Sequence, residues 1–317
     1  MRLISRGIRE SRGLNGNSPT RMMLWGMRRV LSLARVKPLG TVGLAVLIGL
    51  IAMAIFADLI ATNDPLDQDV NFRLRGPSSE FLFGTDMLGR DVFSRVVHGA
   101  RISLYVGLTS VAIATAFGVA IGLASGYLGG KLDLIVQRII DAFLGFPVLV
   151  LALLLVVVLS TTTTSVVVAI VVALTPQMVR LARAEAIKAR GEMFVKAAEA
   201  IGATRMRILA RHILPNAAGS IVILATSLLE QAIVAEASLS FLGLGVPPPD
   251  PSWGRLLKEG TGGFLETAPW ITIFPAAALT LAVFSFGVIG DGLRDLTDPQ
   301  FLSRGRPEKS GRNAKTS

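Results

Sequence analysis

Six stretches of this chain are long and apolar enough to leave water, and they constrain the fold more than any other feature. They run over residues 39–61, 100–126, 134–160, 165–182, 216–244 and 270–292. A helix needs about 20 residues to cross the hydrocarbon of a bilayer. Backbone in lipid must also satisfy its own hydrogen bonds, which restricts spanning segments to helices or closed barrels. Runs of this length predict an all-α, polytopic membrane protein with six transmembrane helices. Charged residues make up only 17% of the chain, whereas soluble domains carry about a quarter. The fourth stretch is the weakest, because Pro176, Gln177 and Arg180 fall in it. It spans if Arg180 and Arg183 reach back to the interface.

Basic residues set the orientation. The net charge is +10, which raises the question of nucleic acid. Yet the lysines and arginines flank the apolar runs and form no single stripe, so no nucleic-acid partner is expected. Residues 62–99 are acidic on balance, with Asp64, Asp67, Asp69, Glu80, Asp86 and Asp91 in them. Residues 178–215 instead hold Arg180, Arg183, Lys188, Arg190, Lys196, Arg205, Arg207 and Arg211. The excess of lysine and arginine on cytoplasmic loops then places both termini, the short turn "GGKLD" and residues 178–215 inside. The organisation read from this is a cytoplasmic tail over 1–38, a membrane domain over 39–302 and a second cytoplasmic tail over 303–317. The basic first tail lacks the apolar core and small-residue cleavage site of a signal peptide and is expected to be retained. Trp253 and Trp270 fall on the outer side, as interfacial anchors would. With no cysteine, neither a disulfide framework nor a thiolate metal site is available.

The stretch "KAAEAIGATRMRILARHILPN", residues 196–216, is polar, patterned and bracketed by apolar runs. Alanine favours a helix over 192–202, and Glu192 four places before Lys196 is the favourable order for a pair. Phe194, Ala198 and Ile201 share one face. Gly202 suits a helix stop, and Pro215 suits the first turn of the following span. Such a short helix is not stable alone and must pack on its own chain or on a partner.

At these residues the sequence resembles the cytoplasmic loop of ABC importer permeases. That motif runs Glu-Ala-Ala, three residues, Gly, nine residues, Ile-x-Leu-Pro. Ala197, Ala198, Gly202, Leu214 and Pro215 match it. Lys196 replaces the glutamate and His212 replaces the isoleucine. Residues 83–104, 236–257 and 290–299 resemble the smaller permease of dipeptide, oligopeptide and nickel importers, and the likeness covers roughly residues 38–302. It implies a bacterial plasma-membrane protein that forms half of a pathway with a second, homologous permease. It also implies two ATPase subunits below, which use ATP and Mg, and an extracytoplasmic solute-binding protein above. The loop over about 184–215, with Phe194 and Lys196 in its helix, would couple to an ATPase. Cargo would be a di- or oligopeptide or a small solute such as a nickel chelate.

Other chemistries are poorly served. No GxxxxGK[ST] phosphate loop occurs, since "GGKL" has Leu132 where Ser or Thr is needed, so the chain is expected to bind no cofactor itself. There is no HExxH or GxSxG, and no metal site is expected. Asp141 and Asp291 are expected to pair with Arg138 and Arg294 near interfaces. An ion-coupled secondary transporter is the alternative, but Pro176 breaks one span without a matching break in another half. In the fifth stretch, Glu230, Gln231 and Glu236 are ionisable or polar at depth, where such groups are expensive and face a cavity or a partner. They are the candidates to line a pathway, Glu230 near a peptide's amino group; the alternatives are a hydrogen bond to the partner permease or a neighbouring helix for Glu230 and a structural role for Glu236.

Overall fold

The computed structural model describes residues 38–297. Except for Pro38, the two expected tails lie outside the described residues. Helix α1, Pro38–Ile55, ends at Phe56 and is followed by a single turn, Ala57–Ile60. A loop then leads to α2, Val92–Leu128, which starts well before residue 100 because the Asp91 carboxylate caps it, accepting from the amides of Phe93 and Ser94. At about 1.5 Å per residue, α2 is roughly 55 Å long.

The third expected span is not one helix. It divides into α3, Gly130–Leu144, and α4, Val148–Leu159, which meet at a 92° bend. Pro147 supplies the reason. The residue before a proline is driven out of helical geometry, so α3 ends before Phe146 and α4 restarts after Pro147. Apolarity alone did not reveal this, since both pieces are greasy.

Helix α5, Thr163–Arg190, passes through Pro176 unbroken, and its capping hydroxyl is that of Thr162. A short helix α6 occupies Met193–Ala200. Helix α7 covers Arg205–Phe241, with a wide π turn at Leu209–Ile213 just before Pro215. Pro215 has no N–H to give the preceding turn, and a π turn is one way a helix accommodates that defect. Helix α8 covers Trp253–Thr261, and α9 covers Trp270–Thr297.

Among the described residues, α2, α5, α7 and α9 are long and apolar enough to cross a membrane, and the bent α3–α4 pair makes a fifth candidate. The apolar part of α1, Leu39–Ile55, is shorter and sits at the low edge of the spanning range. Helices α2 and α5 make the most extensive helix–helix contact among the described residues. Gly118, Gly122 and Gly126 provide the contact, since a β-carbon on any of them would run into Met178, the Val179 carbonyl or the Arg183 carbonyl. Small residues at spacing four allow this approach in lipid, where packing drives helix association.

Candidate functional site

Helix α2 links two differently built regions. From Arg95 to Tyr127 the axial distance is about 48 Å, more than the thickness of a bilayer's hydrocarbon.

The far end of α2 carries the patterned loop. Val195 and Ala198 of α6 are buried against Leu123, Tyr127, Ala182 and Ala186, with Ile208 and Ile213 closing the cluster. The Tyr127 hydroxyl donates to Glu199 Oε1 at 2.8 Å. Gly202 has φ of +77°. Its amide donates to the Glu199 carbonyl, and the Ala203 amide donates to the Ala198 carbonyl. That is the paired-bond helix stop for which glycine is favoured. Phe194 and Leu214 are each 37% exposed, and Lys196, Ala197, Gly202 and Pro215 are exposed. The face shared by Phe194, Ala198 and Ile201 is therefore divided between inside and outside. Val195 joins Ala198 inside, while Ile201 is 85% exposed and Met193 81%. Of the three residues expected on one face, Ala198 alone is buried, while Phe194 and Ile201 lie on the exposed side. Lys196 makes no ion pair among the described residues, and Glu199 accepts from Tyr127 instead of pairing with it. Nearby, Asp133 of α3 receives both Nε and an Nη of Arg183, each at 2.7 Å, which fastens α3 to α5. Asp141 pairs with Arg180 at 2.8 Å and not with the expected Arg138.

The three pathway candidates separate in the fold. Glu230 lines a groove of about 940 Å³ between α7 and α9, with Ser227, Thr280, Phe284, Gly287 and Asp291 also in its wall. Gln231 lies on another face and accepts from the Gln177 side chain of α5 at 3.2 Å. Glu236 is fully buried and lines none of this groove. Its carboxylate accepts from Ser103 of α2 at 2.9 Å and from Ser240 at 2.7 Å. The Ser103 oxygen also accepts from the Trp253 amide, tying α8 to the same knot. Glu236 therefore has the enclosed, hydrogen-bonded setting of the structural role that the sequence also offered it. A buried carboxylate needs donors, and the serines supply them.

The near end of α2 is held by charge. Asp86 accepts from the amides of Leu88 and Arg90, from Arg90 Nε at 2.6 Å and from an Nη of Arg95 at 2.5 Å. Arg95 has no exposed surface and also grips Glu259 of α8 at 2.7 Å. Arg90 and Arg255 reach the same Glu259 carboxylate, each at 3.0 Å. Burial pushes the Glu259 carboxyl up. The hydrogen bond from Arg95, with the charges of Arg95 and Arg90 and the contact from Arg255, outweighs burial and holds it below the ordinary glutamate range. The tryptophans expected as interfacial anchors belong to this cap. Trp253 is fully buried and its indole donates to the Val96 carbonyl. Trp270 donates to the Thr85 carbonyl. Each indole found a backbone acceptor, as buried indoles do. The stretch 83–104 and the α8 segment were both noticed in the sequence, but nothing in it joined Arg95 to Glu259 across 164 positions.

Comparison with known proteins places these features. Residues 118–303 match the family of the binding-protein-dependent transport system inner membrane component. Residues 27–77 match the N-terminal transmembrane domain of oligopeptide transport permease C. The chain is 40% identical to the dipeptide transport system permease protein DppC of Alkalihalophilus pseudofirmus, over 84% of this chain and 87% of that one. It is 42% identical to the glutathione transport system permease protein GsiD of Escherichia coli, over 79% and 83%. It is 37% identical to the probable D,D-dipeptide transport system permease protein DdpC of Escherichia coli, over 83% and 88%. Among solved structures, a chain of the MetNI methionine ABC transporter in an inward-facing conformation matches with a TM-score of 0.50 and 21% identity, over 65% of this chain and 98% of that one. At that identity the likeness is one of fold.

Proposed function

The chain belongs to the inner membrane components of binding-protein-dependent transport systems and is a permease subunit of an ABC importer, and we propose that its cargo is a di- or oligopeptide. The names of its relatives carry this reading: three that match across most of their length are permeases for dipeptides, D,D-dipeptides or glutathione. All three cargoes are small peptides or peptide-like molecules.

The partners belong to the same proposal. A second, homologous permease completes the pathway, two ATPase subunits bind ATP and Mg, and a solute-binding protein delivers cargo. The ion-coupled alternative is set aside. In this reading, six spans, counting α1 and the bent α3–α4 pair, place both termini and α6 in the cytoplasm. The membrane domain runs over 39–302 between the two tails. Helix α6 and the exposed residues around it dock on an ATPase, with Phe194, Lys196 and Ala197 nearest the contact and Leu214 and Pro215 at its edge. Closure of the ATPases then moves α6, and packing of Val195 and Ala198 on α2 and α5 carries that motion into the spans as a rigid-body shift.

Two measurements test it. The complete importer, reconstituted in vesicles, takes up a labelled tripeptide only when ATP and the binding protein are supplied. Uptake without ATP would overturn the reading. The chain has no native cysteine, so Thr163→Cys and Asp250→Cys should react with an impermeant thiol reagent in intact cells while Ala203→Cys stays unlabelled. Labelling of Ala203→Cys alone would reverse the orientation.

A further inference from the structure

Glu230 sits in the middle of α7. Counted along the helix, it is about 24 Å from Leu214 and about 16 Å from Phe241. A carboxylate at that depth is expensive unless something answers its charge. The other deeply placed acids have partners: Glu236 has two serines, and Asp86 has two arginines. Among the described residues, no hydrogen bond or ion pair reaches Glu230. The groove it lines carries two carboxylates, Glu230 and Asp291, and no lysine or arginine. The rest of its wall is apolar, apart from the small hydroxyls of Ser227, Ser238 and Thr280. Opposite Glu230 stands Gly287, where a β-carbon would lie 3.3 Å from the carboxylate oxygen. The absence of a side chain there leaves the carboxylate open to the groove. At about 940 Å³, the groove is within the usual range of small-molecule sites.

We infer that Glu230 receives the free amino terminus of the cargo peptide as it passes through this groove. The inference rests on the peptide reading proposed above. An ammonium group supplies the missing positive charge and up to three N–H donors, and a bond between two charged groups is among the stronger hydrogen bonds. The groove's residues argue against a metal ion as the occupant. A hard cation takes six or more oxygen ligands, and no group of three or more metal-ligating side chains occurs among the described residues. A side-chain cation fixed on the second permease is the rival occupant, and the co-purification arm below tests it.

The test uses the complete importer with Glu230→Gln and Glu230→Asp, and measures uptake of a labelled tripeptide and of its N-acetylated form. Any preference of the binding protein is common to all variants and cancels in the comparison. The wild type should favour the free amino terminus by about tenfold or more, the size of a lost charge-assisted bond. Glu230→Gln should narrow that preference to less than about threefold, mainly by slowing the free peptide, and Glu230→Asp should restore most of it. An unchanged preference in Glu230→Gln would overturn the assignment, as would an equal fall for both peptides. Failure of Glu230→Gln to co-purify with the second permease would assign Glu230 to the subunit interface and also overturn it. If the wild type assembles but takes up neither peptide, the peptide reading itself fails and the assignment goes with it.

Discussion

The two ends of α2 are built from opposite materials. At the cap, Arg95 is buried between Asp86 and Glu259, and two further arginines close the network. At the loop, α6 is held by a small apolar cluster and one hydrogen bond from Tyr127, with most of its surface exposed. A buried ion network tolerates no rearrangement, because each charge depends on its partner for solvation. A short helix resting on a few alkyl contacts can shift at small cost. The cap therefore fixes the fold, and the loop keeps the freedom that the proposed docking on an ATPase would need.

The strongest way to break this contrast is Arg95→Leu. It leaves Asp86 with Arg90 alone and removes the central grip on Glu259, and losing one partner of a buried ion network costs about 3–5 kcal/mol. The variant should lose most of its folded yield, measured by detergent-solubilised monodisperse protein. Near-normal yield would mean that the cap is not the rigid end.

Gly202→Val should act at the other end with a smaller cost. A β-branched residue at positive φ costs about 1–2 kcal/mol, confined to the stop of α6. Folded yield should stay close to wild type while transport per ATP hydrolysed falls. A loss of yield equal to that of Arg95→Leu would erase the difference between the ends.

Lys196 gives the smallest and sharpest test. It is solvated, and exposed charges contribute about 0.2–1 kcal/mol at most. Lys196→Ala and Lys196→Glu should both leave yield unchanged. If the position touches a basic patch on the ATPase, Lys196→Glu alone should raise transport per ATP. Equal ratios in all three proteins would show that it stays solvated even in the complex.

Particular residues show what the sequence could disclose about the site. Gly202 was legible because a glycine after an alanine-rich helix has a local backbone meaning, and its φ is +77°. The glycines of α2 recur at spacing four, a pattern that by itself indicates only helix packing, and they form the contact with α5. Of the face shared by Phe194, Ala198 and Ile201 only Ala198 is buried, since an eight-residue helix gives too few turns to fix a phase. Glu230 and Glu236 lie six apart in one apolar run, which puts them on different faces without saying which is enclosed. Only their neighbours on α2 and α9 distinguish the open one from the enclosed one.

The sequence by itself determined the all-α membrane class, the family and the helix stop at Gly202, while the start at Asp91 and the break at Pro147 rest on local backbone chemistry that the hydropathy pattern passes over. Each of these follows from hydropathy or from backbone chemistry within a few residues of the site. The tertiary structure alone decided which charges meet. Arg95 and Glu259 are 164 positions apart, and helices of similar greasiness can pack in many arrangements. Which arrangement forms depends on how closely the glycines of α2 let α5 approach and on which buried charges can then be neutralised, and both are properties of the assembled helices.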